Sequence, residues 1–330
     1  MLNHRRFGAL MLGLGLGLLL LAGPARAADL DKLLPDDTEA VITINVKQIL
    51  DSALVKKLPL DLVKDAIKNS NEATKVLDDL GFDPFKDLES IVVASPGGQE
   101  ADKWLVVIRG KFDEKKFKAR AKEEAKEKKD VVKVIEVPDG RDGKYEMYEI
   151  SPPNSPQSVL VSVADSKTIL VSGGKDYVVN ALDQLAGRKK VALKSKEMAA
   201  VLKRIDDKQS LWVALVGSAL EKTMLKDNDE AKEIIEKLTD ATFGITIDKD
   251  IKVELGVTGK DEKAAKDLDA KISDGIQQAQ GLALLFVKDK QFKPLVDILK
   301  TIKTSLKDKT ITVKTEIGGD IIEDLLPKDK

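Results

Sequence analysis

The chain is expected to adopt an α+β fold, two similar units of mainly antiparallel sheet packed against amphipathic helices. Three observations predict it. First, DDTEAVITINVKQIL (Asp36 to Leu50) returns in outline 170 residues later as DDKQSLWVALVGSAL (Asp206 to Leu220). Each copy has two aspartates, a run of six mostly apolar and partly β-branched residues (Val41 to Val46, Leu211 to Val216), and then an amphipathic helix. Second, the other apolar runs come in pairs across short loops rich in Gly, Asp and Pro, which is the pattern of hairpins and hence of antiparallel pairing. Third, the segments between these pairs carry apolar residues at helical spacing.

The first residues read as an export signal. His4, Arg5 and Arg6 form a positive n-region, Phe7 to Ala22 is an uninterrupted apolar run, and Pro24-Ala25-Arg26-Ala27 ends in the small-x-small pattern of a cleavage site. Cleavage is expected between Ala27 and Ala28. The apolar run is shorter than the roughly 20 residues that span a bilayer, and no lipobox cysteine follows it.

The order of elements follows from there. Leu34-Pro35-Asp36-Asp37 is a turn into the first strand, and Asn45 to Leu54 bends into a helix interrupted near Pro59. From Leu60, the positions Leu62, Val63, Ala66, Ile67, Ala73, Val76, Leu77 and Leu80 make a helical stripe that Gly81 closes. Asp83 caps a helical turn begun by Pro84. Ser90 to Ala94 and Trp104 to Ile108 form a hairpin, and Lys111 to Asp130 is a charged helix with a narrow stripe of Phe117, Ala121 and Ala125. Val131 to Val137 and Tyr145 to Ile150 flank the turn Asp139-Gly140-Arg141-Asp142-Gly143, which lacks the regular oxygen ligands and closing glutamate of a calcium loop. Another hairpin joins Val159 to Ala164 and Thr168 to Ser172. A helix from Asp176 to Leu185 follows, and Ser195 caps the next. The second copy continues with strands Ala241 to Ile247 and Ile251 to Thr258, a long helix running toward Gly281, and Leu282 to Val287, which is too short to span a membrane and is expected to be buried. A helix from Pro294 to Leu306, a strand from Ile311 to Ile317 and a short helix from Ile321 to Leu326 close the chain.

The expected division is a signal peptide at 1–27, a first unit at 28–190 and a second at 191–330. LPDDTEAVITINVKQIL, LGFDPFKDLESIVVA and SVLVSVADSKTILVSG, following a signal peptide, resemble a group of uncharacterised exported bacterial proteins with duplicated α+β architecture. The resemblance implies the fold and brings no activity with it.

Composition narrows the function. The chain has no cysteine, and its one histidine, His4, lies in the leader. The exported chain therefore has no Ser-His-Asp triad, no Cys-His pair, no His- or Cys-ligated zinc and no thiol redox centre. No phosphate-cradling glycine motif is present, so no nucleotide cofactor is expected. The leader takes Arg5, Arg6 and Arg26 from a total of 55 basic residues against 56 acidic ones, leaving a net charge of −4, which favours neither nucleic acid nor anionic lipid by bulk field. Aromatics are 4% of the chain, too few and too scattered for the stacking platforms of sugar or single-strand sites.

One nucleophile pattern remains, Ser172-Gly173-Gly174-Lys175, a Ser-x-x-Lys without the partner motifs of penicillin-recognising enzymes. The expected function is an exported, non-enzymatic binding or structural protein. Its sheet faces would meet a protein partner, a second copy or an apolar ligand, and no transmembrane segment is expected in the mature chain. The alternative is a hydrolase working through carboxylates or the Ser172–Lys175 pair. N-terminal sequencing of exported material should find Ala28 first; Met1 there would refute the cleavage site.

Overall fold

Strand β1 (Ala40–Ile44) lies antiparallel against β8 (Leu211–Val216), with Ala40 opposite Leu215, Ile42 opposite Val213 and Ile44 opposite Leu211. The two stretches that echo one another in the sequence are neighbours at the middle of one sheet. This computed structural model describes residues 32–57, 77–98, 100, 102–151, 157–190, 192–222, 228–285 and 292–325. The expected leader, the expected cleavage point between Ala27 and Ala28, and the expected helical stripe from Leu60 to Val76 lie outside the described residues.

Outward from β1 the sheet continues through β2 (Leu88–Ser95), β3 (Leu105–Gly110), β7 (Thr168–Ser172), β6 (Val159–Asp165), β5 (Lys144–Ile150) and β4 (Val132–Pro138). Outward from β8 it continues through β9 (Leu238–Ile247), β10 (Ile251–Gly259), β12 (Thr310–Ile317) and β11 (Lys303–Lys307). All pairings are antiparallel, and the 12-stranded sheet is continuous through the expected unit boundary.

Helices fill the connections: α1 (Val46–Asp51), α2 (Ala53–Lys57), α3 (Pro84–Asp87), α4 (Glu114–Glu127), α5 (Lys175–Leu185), α6 (Lys196–Leu202), α7 (Gly217–Glu221), α8 (Asp229–Ile235), α9 (Glu262–Leu284), α10 (Lys293–Lys300) and α11 (Gly319–Leu325). Several begin where a short polar side chain satisfies a backbone N–H that no helical carbonyl can reach. Asp83 accepts from Phe85 N, Asp113 from Lys116 N, Ser195 from Met198 N, Asn228 from Ala231 N and Asp261 from Ala264 N.

The core divides by sheet face, because directly opposed residues of antiparallel strands share a face. Val41, Thr43, Val92, Ala94, Val107, Leu170, Met147, Trp212 and Ala214 lie on one face, where α5 and α6 cover them with Val178, Leu182, Met198 and Val201. On the other face two separate layers form. Phe82, Phe112 and Phe117, the last from α4, cover Val163 and Ile169, with ring centroids 5.4 to 5.9 Å apart. At the far side α9 covers Val257, Ile311 and Val313 with Ala265, Leu268 and Ile276.

Three expectations need correction. By its alternation with Ile42 and Val46, Ile44 is expected on a core face of β1, yet Ile42 is 39% exposed while Val41 and Thr43 are 1% and 6%. The core face of β1 is the one that opposes Trp212 and Ala214, and only that face lies under α5 and α6. The stretch expected to be buried at Leu282 to Val287 exposes Leu282, Leu284 and Leu285 at 61%, 62% and 76%, while Ala283 turns inward; Phe286 and Val287 lie outside the described residues. The helix expected from Pro294 to Leu306 ends at Lys300, where the chain enters β11 to pair with β12.

The face assignment has a direct consequence for stability. Leu170→Ala leaves a cavity in a fully buried site and should cost about 2–5 kcal/mol, whereas Ile42→Ala should cost under about 1 kcal/mol. Denaturant midpoints of the two variants check the assignment, and equal losses would refute it.

Candidate functional site

Between the two layers on the second face, the middle of the sheet presents a strip of apolar side chains, aliphatic but for Phe243. Register places Ile44 beside Ile91 and Leu211, Ile42 beside Val93 and Val213, Val213 beside Phe243, and Leu211 beside Ile245. Ile42 is exposed, and Ile44, Ile91, Val93, Val106, Leu211, Val213, Phe243 and Ile245 are half-buried. On the opposite face Val41, Thr43, Val92, Ala94, Val107, Trp212 and Ala214 are almost fully buried. The strip exists because both faces of β1 and β8 carry apolar residues while α4 and α9 cover only its two flanks.

At one end of the strip, four strands terminate around an open cleft of about 620 Å³ lined by residues that include Asn45, Lys47, Gln48, Asp51, Glu89, Asp207, Lys208 and Asp248. Asn45 ends β1, and its side chain donates to the carbonyl oxygens of Asp207 (3.1 Å) and Gln209 (2.5 Å), which fixes the loop entering β8. Gln48 donates to the Ile247 carbonyl at 2.9 Å, and its own Oε1 is buried without a partner among the described residues. Lys47 and Asp51 form an exposed pair at 2.6 Å, and that hydrogen bond holds the Asp51 carboxyl below the usual carboxylate range. The cleft thus combines mixed charge at its rim with aliphatic side chains at the adjoining strand ends.

The Ser172 hydroxyl is engaged by backbone groups rather than by Lys175. Ser172 ends β7 fully buried; its hydroxyl donates to the Trp104 carbonyl and accepts from Gly174 N at 3.0 Å. Lys175, the first residue of α5, is exposed. Gly174 lies where a Cβ would collide with the Asp102 carbonyl oxygen, so the glycine serves a close backbone approach. The Asp139 loop is a turn: its Oδ1 accepts from Arg141 N (2.9 Å) and Gly143 N (3.1 Å), and these backbone donors hold the carboxyl below its ordinary value. Among the described residues no group of three side chains is arranged to hold a metal ion, and no helix is long and apolar enough to cross a membrane.

Asp240 on β9 is the carboxylate whose environment is most unusual. It is 3% exposed, and burial raises its pKa above the ordinary 3.8, opposed by Arg204, which donates to it at 2.5 Å. It lies on the face under α5 and α6, away from the strip, because Val216 and Thr258 oppose it.

Sequence reasoning did not single out the strip. Its signal was the lack of polar alternation in Leu211 to Val216, where an unbroken apolar run marks a strand with both faces out of bulk water.

No protein-family model matches the chain, and no curated protein matches it. Two solved structures, described as "Structure of crystal form I of TP0453" and "Structure of crystal form IV of TP0453", are similar to it at 8% identity. The first covers 90% of this chain and 97% of that one, the second 93% and 100%, each with a TM-score of 0.43.

Asp240 gives a pH test. The folded chain holds its proton more tightly than the unfolded chain does, so stability falls as pH rises from 3.8 to the higher folded value and is flat above it. Asp240→Asn removes that dependence. Between about pH 7 and about pH 3, the unfolding free energy of the wild type should therefore shift in its favour relative to the variant; denaturation at both pH values reads the sign.

Proposed function

We propose that the protein is an exported, non-enzymatic binding protein that takes an apolar ligand along the half-buried strip centred on Ile42. The observation that carries this reading is the strip itself, a run of apolar side chains from five neighbouring strands, flanked by the layers of α4 and α9 and left partly open. Apolar surface kept at this exposure gains free energy when an apolar molecule displaces water from it. The polar cleft at the end of the strip would hold the polar end of such a molecule. Export is supported by the leader's charge, apolar run and cleavage pattern. An origin by duplication is supported by the strand, helix and hairpin order that runs outward from β1 on one side and from β8 on the other. Against the hydrolase alternative stands the use of the Ser172 hydroxyl, which bonds two backbone groups and is sealed from solvent.

Nile red, a neutral dye that brightens in apolar surroundings, tests the site. Saturable binding to the leader-free chain is expected, and Ile42→Lys should weaken it about tenfold, the loss of one aliphatic contact surface. Unchanged binding in that variant, or turnover of a generic ester that disappears in Ser172→Ala, would overturn the reading.

A further inference from the structure

Given the strip as the apolar site proposed above, the charge of the cleft at its end decides which molecules suit it. Lys47 and Lys208 line the cleft against Asp51, Glu89, Asp207 and Asp248. Lys47 is committed to Asp51 at 2.6 Å, and Glu89 is the next carboxylate to act on it. Lys56 also reaches Asp51, at 3.5 Å, so with Lys56 counted the cleft still holds four carboxylates against three ammonium groups. Lys249, the neighbour of Asp248, is taken by Asp250 at 3.5 Å. What remains is Lys208 against Glu89, Asp207 and Asp248, and none of these three carboxylates lies within ion-pair distance of a cation among the described residues.

Hydrogen bonding points the same way. Asn45 directs its side-chain N–H groups to the carbonyl oxygens of Asp207 and Gln209. Gln48 directs its amide nitrogen to the Ile247 carbonyl, and only nitrogen can donate there, so the atom left over is an acceptor, Oε1, buried and without a partner among the described residues. A buried acceptor without a donor is unfavourable, and a ligand N–H relieves it.

We propose that the cleft selects a cationic, N–H-bearing end, so that the ligand of the strip is an alkyl amine rather than a fatty acid. An ammonium group brings three donors and a positive charge to a cleft short of both, while its chain lies on Ile42, Ile44 and their neighbours across the strands. A carboxylate would meet four like charges with one uncommitted lysine to answer them.

Displacement of Nile red from the leader-free chain by decylamine, decanol and decanoate gives the test, at about pH 8, where the amine is cationic and the acid ionised. Decanol carries the same chain with an uncharged end and should fall between the other two. Decylamine should displace the dye at a concentration at least about tenfold below that of decanoate, within reach of a few exposed charge contacts, and added salt should shrink the difference. Glu89 and Asp248 are both exposed, and in the double variant Glu89→Gln, Asp248→Asn that ratio should fall about fivefold or more. Dye binding that decanoate reverses as well as decylamine does would overturn this preference and leave the strip standing as the apolar site. A ratio that survives in the double variant would overturn it too, because the preference would then come from the net negative charge of the whole chain. Absence of saturable Nile red binding would remove the strip as a site and the preference with it.

Discussion

The pairing of β1 with β8 is the constraint from which the rest of the architecture follows. Five residue pairs join them, and the seam is closed at both ends by backbone bonds, Val216 N donating to Glu39 O at 3.1 Å and Asn45 N to Ser210 O at 2.8 Å. Asn45 does three things at once: it ends β1, ties the loop before β8 through its side chain, and starts α1. Without this seam each half would present an edge strand rich in aliphatic residues, with a row of unpaired N–H and C=O groups.

The seam also fixes parity. Once Thr43 stands opposite Trp212, every later register inherits the assignment of faces, because a side chain cannot change face without a slip or a bulge. The face that is apolar under α5 and α6 becomes, on β9, β10 and β12, a row of Asp240, Thr242, Lys252, Glu254, Thr310 and Lys314. The second half must bury its other side, and it does so beneath α9. The core under α5 and α6 takes in β1 and β8, while the core beneath α9 draws on β9, β10 and β12, so the middle strands lie where burial passes from one face to the other and carry apolar residues on both sides. The strip is the part of that second face which neither α4 nor α9 covers.

What the sequence made legible were features decided within a few residues: the caps at Asp83 and Ser195, the turn at Asp139, the hairpins and the strand from Leu211 to Val216. What it hid depended on distant partners. Nothing in VITI states whether Val41 or Ile42 faces the deeper core, since α5 and α6, which decide the matter, are more than a hundred residues away. The Ser-x-x-Lys pattern was visible, but the carbonyl that engages Ser172 comes from Trp104, 68 residues earlier. For Leu282 to Val287, length excluded a membrane span and left burial as the default. The third outcome, an apolar helix end left exposed at Leu282, Leu284 and Leu285, depends on what α9 packs against along its length.

An open sheet of this size keeps two edges, and both are poor templates for another strand. At one edge β11 is exposed throughout and carries Lys303 and Lys307; at the other, β4 exposes Lys133 and Glu136 and ends in Pro138, which has no N–H to offer. Charged edges make addition of a further strand costly, so backbone pairing is the disfavoured route to association. The surfaces that gain by losing water are side-chain surfaces, the strip at the seam and the leucines at the end of α9. Of the two, the strip is a sheet face flanked by helix layers, with a polar cleft at one end, suited to enclosing a small apolar molecule. One chain without a disulfide can afford both because its deepest packing lies elsewhere, under α5 and α6 on one face and under α4 and α9 on the other.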